Sequence, residues 1–183
     1  MRFVVPQTAQ MTELRWRKRM SWFLNGAIVI VVFVAVSTFQ ARNMLDTDRQ
    51  FSPRLSAMTL GSDSFDLASQ EPRPTVIYFF APWCQYYALS SDNLNRLRRL
   101  RDEDALRIVA VALGWENSDE VKQFAERHEL NVPVLLGDAA IARDWKIYGF
   151  PTYYVLDSES RVVSRDIGYS TQLGMLWRSW VLD

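Results

Sequence analysis

A chain of 183 residues with one cysteine and one histidine lacks the means for two classes of protein. One thiol excludes an intrachain disulfide framework, and one Cys with one His falls short of the four ligands of a closed zinc site. Neither a metal nor another cofactor is expected, and chemistry at sulfur is confined to a single thiol. An excess of one charge is missing too, since 21 Lys and Arg balance 21 Asp and Glu. The balance is uneven along the chain: Arg2, Arg15, Arg17, Lys18 and Arg19 against Glu13 give the first 19 residues +4, which leaves −4 on the rest. An acidic folded part has no basic footprint for phosphates, so no nucleic-acid partner is expected. Internal repeats and low-complexity tracts are also absent.

What is present begins with an apolar run. Residues 21–39 (SWFLNGAIVIVVFVAVSTF) carry no charge. As a helix they span roughly 28 Å, close to a bilayer core of about 30 Å. The basic cluster precedes the run, whereas the far flank is mixed (Arg42, Asp46, Asp48, Arg49). The positive-inside rule then predicts a single-pass membrane protein, with residues 1–20 a cytoplasmic tail, 21–39 in the lipid bilayer and the remainder outside the cytoplasm. A cleaved signal peptide competes, since Ala35 and Ser37 are small. The run is long for a signal's apolar region, which favours an uncleaved transmembrane helix. Residues 40–56, polar with a proline, read as a linker, and the folded domain is placed at 57–183.

That domain alternates strand-like and helix-like patterns. Thr75 to Phe80 (TVIYFF) is an uncharged β-branched and aromatic run, the mark of a strand buried on both faces. Leu89, Leu94, Leu97 and Leu100 follow at mostly helical spacing with arginines between them, and Leu106 to Leu113 (LRIVAVAL) is a second buried strand. A strand-helix-strand unit of this kind favours parallel pairing. Ser118 is placed as the cap of a helix carrying Val121, Phe124 and Ala125. Val132 to Leu136 reads as a short strand. Thr152 to Leu156 and Val162 to Ile167 read as a hairpin, and Thr171 to Val181 as a last helix. The predicted class is α/β, a thioredoxin-like order in which a central mixed sheet is flanked by helices.

Two runs carry a family likeness: Val76-Ile77-Tyr78-Phe79-Phe80-Ala81-Pro82-Trp83-Cys84 and Tyr148-Gly149-Phe150-Pro151-Thr152-Tyr153-Tyr154-Val155-Leu156-Asp157. The chain resembles membrane-anchored, TlpA-like thioredoxin-fold proteins over roughly residues 57 to 183 and the anchor. The resemblance implies thiol-disulfide exchange outside the cytoplasm, with Cys84 as the nucleophile and Pro151 as the cis-proline facing it. Trp83, Tyr86, Tyr87, Phe150, Pro151 and Thr152 are then the candidate substrate-binding residues. Exported client proteins or small thiols would be partners through mixed disulfides, with a membrane redox partner as a further expectation.

Elementary chemistry supports that placement. At the first turn of a helix a thiolate is favoured by unpaired N–H groups and by the helix dipole. A proline lacks its own N–H and leaves the backbone before it free to pair with an extended chain. The departures from the family pattern are as informative. After Gln85 and Tyr86, three residues beyond Cys84, Tyr87 stands where that family places its resolving cysteine, so only another molecule's thiol can release a mixed disulfide. Tyr78 stands where thioredoxins place a buried aspartate, and Ser90 where several TlpA-like proteins place a glutamate. Neither is a useful base near neutral pH.

Other residues read as structural. His128 is expected to cap or pack at the end of its helix, and the run Arg96 to Arg101 to form a solvated face answered by Asp102, Glu103 and Asp104. Two functions from different classes follow. One is a single-cysteine exchange protein reset by an external thiol; the other is a degenerate thioredoxin domain that uses the Cys84 and Pro151 face to hold a partner without turnover. A peroxidase is a distant third, because the proline and threonine that precede a peroxiredoxin's cysteine are missing.

Overall fold

The computed structural model describes residues 42–84 and 88–168, together with 25, 26, 28, 29, 31 and 32. In chain order the elements are β1 (Ser56–Thr59), β2 (Ser64–Asp66), β3 (Thr75–Phe80), α1 (Ala88–Leu100), β4 (Arg107–Ala112), α2 (Ser118–Arg127), β5 (Val134–Leu136), α3 (Ala139–Asp144), β6 (Thr152–Leu156) and β7 (Val162–Ile167). The seven strands form one mixed sheet in the order β2-β1-β5-β4-β3-β6-β7. β3 lies parallel to β4 and antiparallel to β6, and every residue of β3 is buried. The uncharged run that marks this strand in the sequence is thus explained by cover on both faces.

The two faces of β3 feed separate packing groups. Val76, Tyr78 and Phe80 join Leu94 and Leu97 of α1, Val121 and Phe124 of α2, and Tyr153 and Val155 of β6 in one cluster. Phe79 on the other face meets Trp145 at 5.4 Å and Tyr154 at 6.2 Å between ring centroids. Each such side chain contributes about 1.5–3 kcal/mol on leaving water. A buried amide ties the helices at one end: Asn95 Nδ2 donates to the carbonyls of Glu129 (2.9 Å) and His128 (3.3 Å), and its Oδ1 accepts from the N–H of Asn131 (3.0 Å).

The domain starts earlier than Ala57. Its compact unit opens at Asn43, and Met44, Leu45 and Leu55 are buried in it. Three kinds of bond hold the stretch predicted as a linker. Arg165 donates to the carbonyls of Met44 and Leu45. The N–H of Leu45 reaches Tyr154 Oη at 3.3 Å, and that hydroxyl donates to the Trp145 carbonyl at 2.8 Å. Phe51 bridges Arg161 beside β7. The apolar pair Met44-Leu45 is too short to show periodicity among polar neighbours, which is why composition reads it as linker.

Further differences are local. Asn117, not Ser118, caps α2, its side-chain oxygen accepting from the N–H of Glu120 at 2.9 Å. Strand β5 opens at Val134 rather than Val132. The β1–β2 hairpin and α3 have no counterpart in the sequence reading, the strands being only four and three residues long. The predicted helix 171–181 lies outside the described residues, as does most of 21–39. The six residues described there are helical, with Ile28, Val29, Val31 and Val32 exposed. Among the described residues no helix is long and apolar enough to cross a membrane.

Burial pushes the Tyr154 phenol up to about 12, against the Leu45 N–H bond, which lowers it. A folded value above the unfolded one near 10 means this contribution is complete below pH 10 and is lost as pH rises through about 12. Tyr154→Phe is expected to cost roughly 1–2 kcal/mol at neutral pH and to flatten the stability loss in that alkaline window. Urea unfolding across pH measures both.

Candidate functional site

β3 delivers the chain to a tight turn. The N–H of Cys84 donates to the carbonyl of Ala81 at 3.0 Å, closing Ala81-Pro82-Trp83-Cys84 with proline in the second place, where its fixed φ suits the turn. The turn throws Trp83 outward, 61% exposed. Its indole is nevertheless held, Nε1 donating to the Gly114 carbonyl at 3.0 Å just past β4. Gly114 has φ +65° and a Cβ added there would lie 3.3 Å from that nitrogen, so both backbone and space call for glycine. Cys84 is half-buried and packs against the cluster beneath α1 and α2. The described part of α1 opens four residues later at Ala88. Gln85, Tyr86 and Tyr87 lie outside the described residues.

The second half of the site is the loop into β6. The Phe150–Pro151 peptide is cis. Three contacts hold it: Thr152 Oγ1 donates to the Gly149 carbonyl (2.8 Å), the N–H of Gly168 donates to the Pro151 carbonyl (2.7 Å), and the Phe150 ring meets Trp83 edge-on at 5.9 Å. Among the described residues neither backbone group of Phe150 has a hydrogen-bond partner. Tyr148 beside it is 69% exposed. Trp83, Phe150 and Tyr148 therefore present aromatic surface, with a peptide group unpaired among the described residues, next to the turn that carries the thiol.

The structure thus joins Trp83 and Phe150, with Cys84 and Pro151 their chain neighbours. Thr152 is buried and its hydroxyl donates to the Gly149 carbonyl, which holds the loop. Tyr78 is buried in the cluster, register-paired with Tyr153 of β6, so the strand position is filled by a large ring. His128 is the C-cap of α2, its ring 4.4 Å from that of Phe124, which is the structural role expected of it. The arginine run is only partly a solvated face. Arg96 and Arg99 are exposed, but Arg98 turns back to the Leu106 carbonyl at 2.8 Å. Among the described residues no group of three His, Cys, Asp or Glu side chains is arranged to hold a metal ion. Gly114 escaped the sequence reading. A glycine one residue beyond a buried strand was the signal available for it.

A family model described as AhpC/TSA family matches residues 48–165. The chain belongs to the AhpC/TSA family. It is similar to the thioredoxin-like protein YneN of Bacillus subtilis, 22% identical over 142 residues covering 75% of this chain and 82% of that one. It is also 22% identical over 122 residues to the thiol-disulfide oxidoreductase ResA of Bacillus cereus, covering 66% and 70%. Two solved structures share the fold: a thioredoxin-family thiol:disulfide interchange protein from Chlorobium tepidum (TM-score 0.66, 19% identity, 75% of this chain and 99% of that chain) and a DsbF homologue from Corynebacterium diphtheriae (0.68, 19%, 76% and 91%). Within the AhpC/TSA family, then, this chain has a thiol-disulfide oxidoreductase-like thioredoxin fold.

Thr152→Val removes the hydroxyl at constant shape and is expected to cost about 1 kcal/mol, whereas Thr152→Ser keeps the bond and stays near wild type. Thermal unfolding of the two variants measures the difference.

Proposed function

We propose that the protein is a membrane-anchored, TlpA-like thiol-disulfide exchange protein whose domain lies on the periplasmic side and works through the single thiol of Cys84. The observation that carries this reading is the edge-on contact between Trp83 and Phe150, which couples the cysteine turn to the cis-proline loop. An extended client segment pairs with the peptide group of Phe150 and lays its side chains on the aromatic surface. The Cys84 thiolate attacks one sulfur of a client disulfide. The client S–S bond breaks, a Cys84–client bond forms, and the other client sulfur leaves as a thiolate that takes up a proton. Release needs a second molecule: an external thiolate attacks the client sulfur, which frees Cys84 and leaves that thiol joined to the client. The export direction rests on the uncharged run 21–39 and the basic cluster before it.

A second reading, a partner-holding domain without turnover, is favoured by one feature. Tyr78 fills the strand position from which an acid would exchange protons with the thiol.

Membranes lysed with thiols alkylated and analysed with and without reductant separate the two. Exchange predicts reducible adducts that vanish in Cys84→Ser; a single unmodified band in the wild type overturns it. Tyr87→Cys is expected to create a redox-active pair with a measurable reduction potential. A Tyr87→Cys variant inert to dithiols and to oxidants would place Cys84 away from the helix start.

A further inference from the structure

At the pole of the sheet opposite Cys84, where Thr75 and Arg107 begin the paired strands β3 and β4, a cleft of about 450 Å³ lies beside the β1–β2 hairpin. That volume is within the range of small-molecule sites. Three arginines line it, Arg73, Arg98 and Arg107.

Most of their hydrogen bonds go to neutral oxygens. Arg73 reaches the Glu103 carbonyl (2.6 Å), Arg98 the carbonyls of Leu106 (2.8 Å) and Arg101 (3.5 Å), and Arg107 the Glu71 carbonyl (3.0 Å) and the Thr75 hydroxyl (3.4 Å). Of the three, only Arg73 has carboxylates within ion-pair distance among the described residues, Glu71 at 3.1 Å and Asp104 at 4.0 Å. Both acids stand in water, 84% and 101% exposed, while the Arg73 side chain is 22% exposed. Asp63 and Glu103, the other acids at the cleft, are exposed as well. Formal charges cancel along the lining, but the cations lie deeper and the anions lie where solvent screens them. Burial lowers the guanidinium pKa of Arg98 and of Arg107; Glu103 and Glu71 oppose this, and the nearby charge of Arg73 adds to it.

We propose that this cleft binds a phosphate monoester of a small molecule, its phosphate taken between Arg73, Arg98 and Arg107. A dianion with three accepting oxygens matches three planar donor forks, which a lone carboxylate would leave partly unmatched. Phe65 and Pro133 line the same cleft and supply apolar surface for the organic part. The site is independent of the thiol chemistry, being built on the other ends of the same strands.

Calorimetric titration of the full-length protein with glycerol 3-phosphate tests this, with glycerol as control. Saturable binding of the phosphate ester alone is expected. Arg107→Gln should weaken it roughly tenfold, the loss of one charge-assisted contact. Glu71→Gln, which removes a competing carboxylate at an exposed position, should tighten it a few-fold, and Cys84→Ser should leave it unchanged. Absence of saturable heat overturns the proposal. So does equal affinity in wild type, Arg107→Gln and Glu71→Gln, where the exposed Glu71 variant guards against a folding defect in the arginine one.

Discussion

The pairing of Phe79 with Thr152, where β3 runs antiparallel to β6, sets the end of one strand beside the start of the other. Everything proposed for the thiol depends on that register. Because β3 is paired on both sides and buried throughout, it cannot slip by a residue without exchanging its two packed faces. Ala81-Pro82-Trp83-Cys84 must therefore leave the sheet where Phe150-Pro151 enters it. The loop contacts then refine a meeting that the sheet has already imposed: Trp83 on Gly114, Phe150 on Trp83, and Thr152 on Gly149.

The second face of the sheet explains why the domain needs residues before β1. Phe79, Trp145 and Tyr154 form a ring cluster whose polar atoms must be satisfied. The Tyr154 hydroxyl meets the Trp145 carbonyl and the Leu45 N–H, and the indole of Trp145 donates to the Arg54 carbonyl. Residues 44–54 thus serve as bonding partners for an aromatic layer, and Arg165 of β7 secures them from the other side.

Much of this was legible in the sequence because the signals were long. TVIYFF carries its burial in its composition, and Thr152 to Leu156 and Val162 to Ile167 have the bounds that β-propensity assigns them. What was not legible rests on few residues or on distant partners. The β1–β2 hairpin is too short for a period, and Met44-Leu45 is recognised only by the tyrosine and arginine that meet it from more than a hundred residues away. The bond from Thr152 to the Gly149 carbonyl likewise depends on the loop's folded shape, which no local pattern announces. The arginine run looked solvated until Arg98 turned back to Leu106.

The proposed exchange turns on one thiol without a resolving partner in its own chain, since Cys84 is the sole cysteine of the sequence. Intact-mass spectrometry of the purified protein, mixed with a disulfide-bonded peptide and then with a small thiol, addresses that directly. The account predicts one peptide adduct per chain, located at Cys84 and lost when the small thiol is added in excess. An absence of adduct, or an adduct at Cys84 that survives excess small thiol, would contradict it.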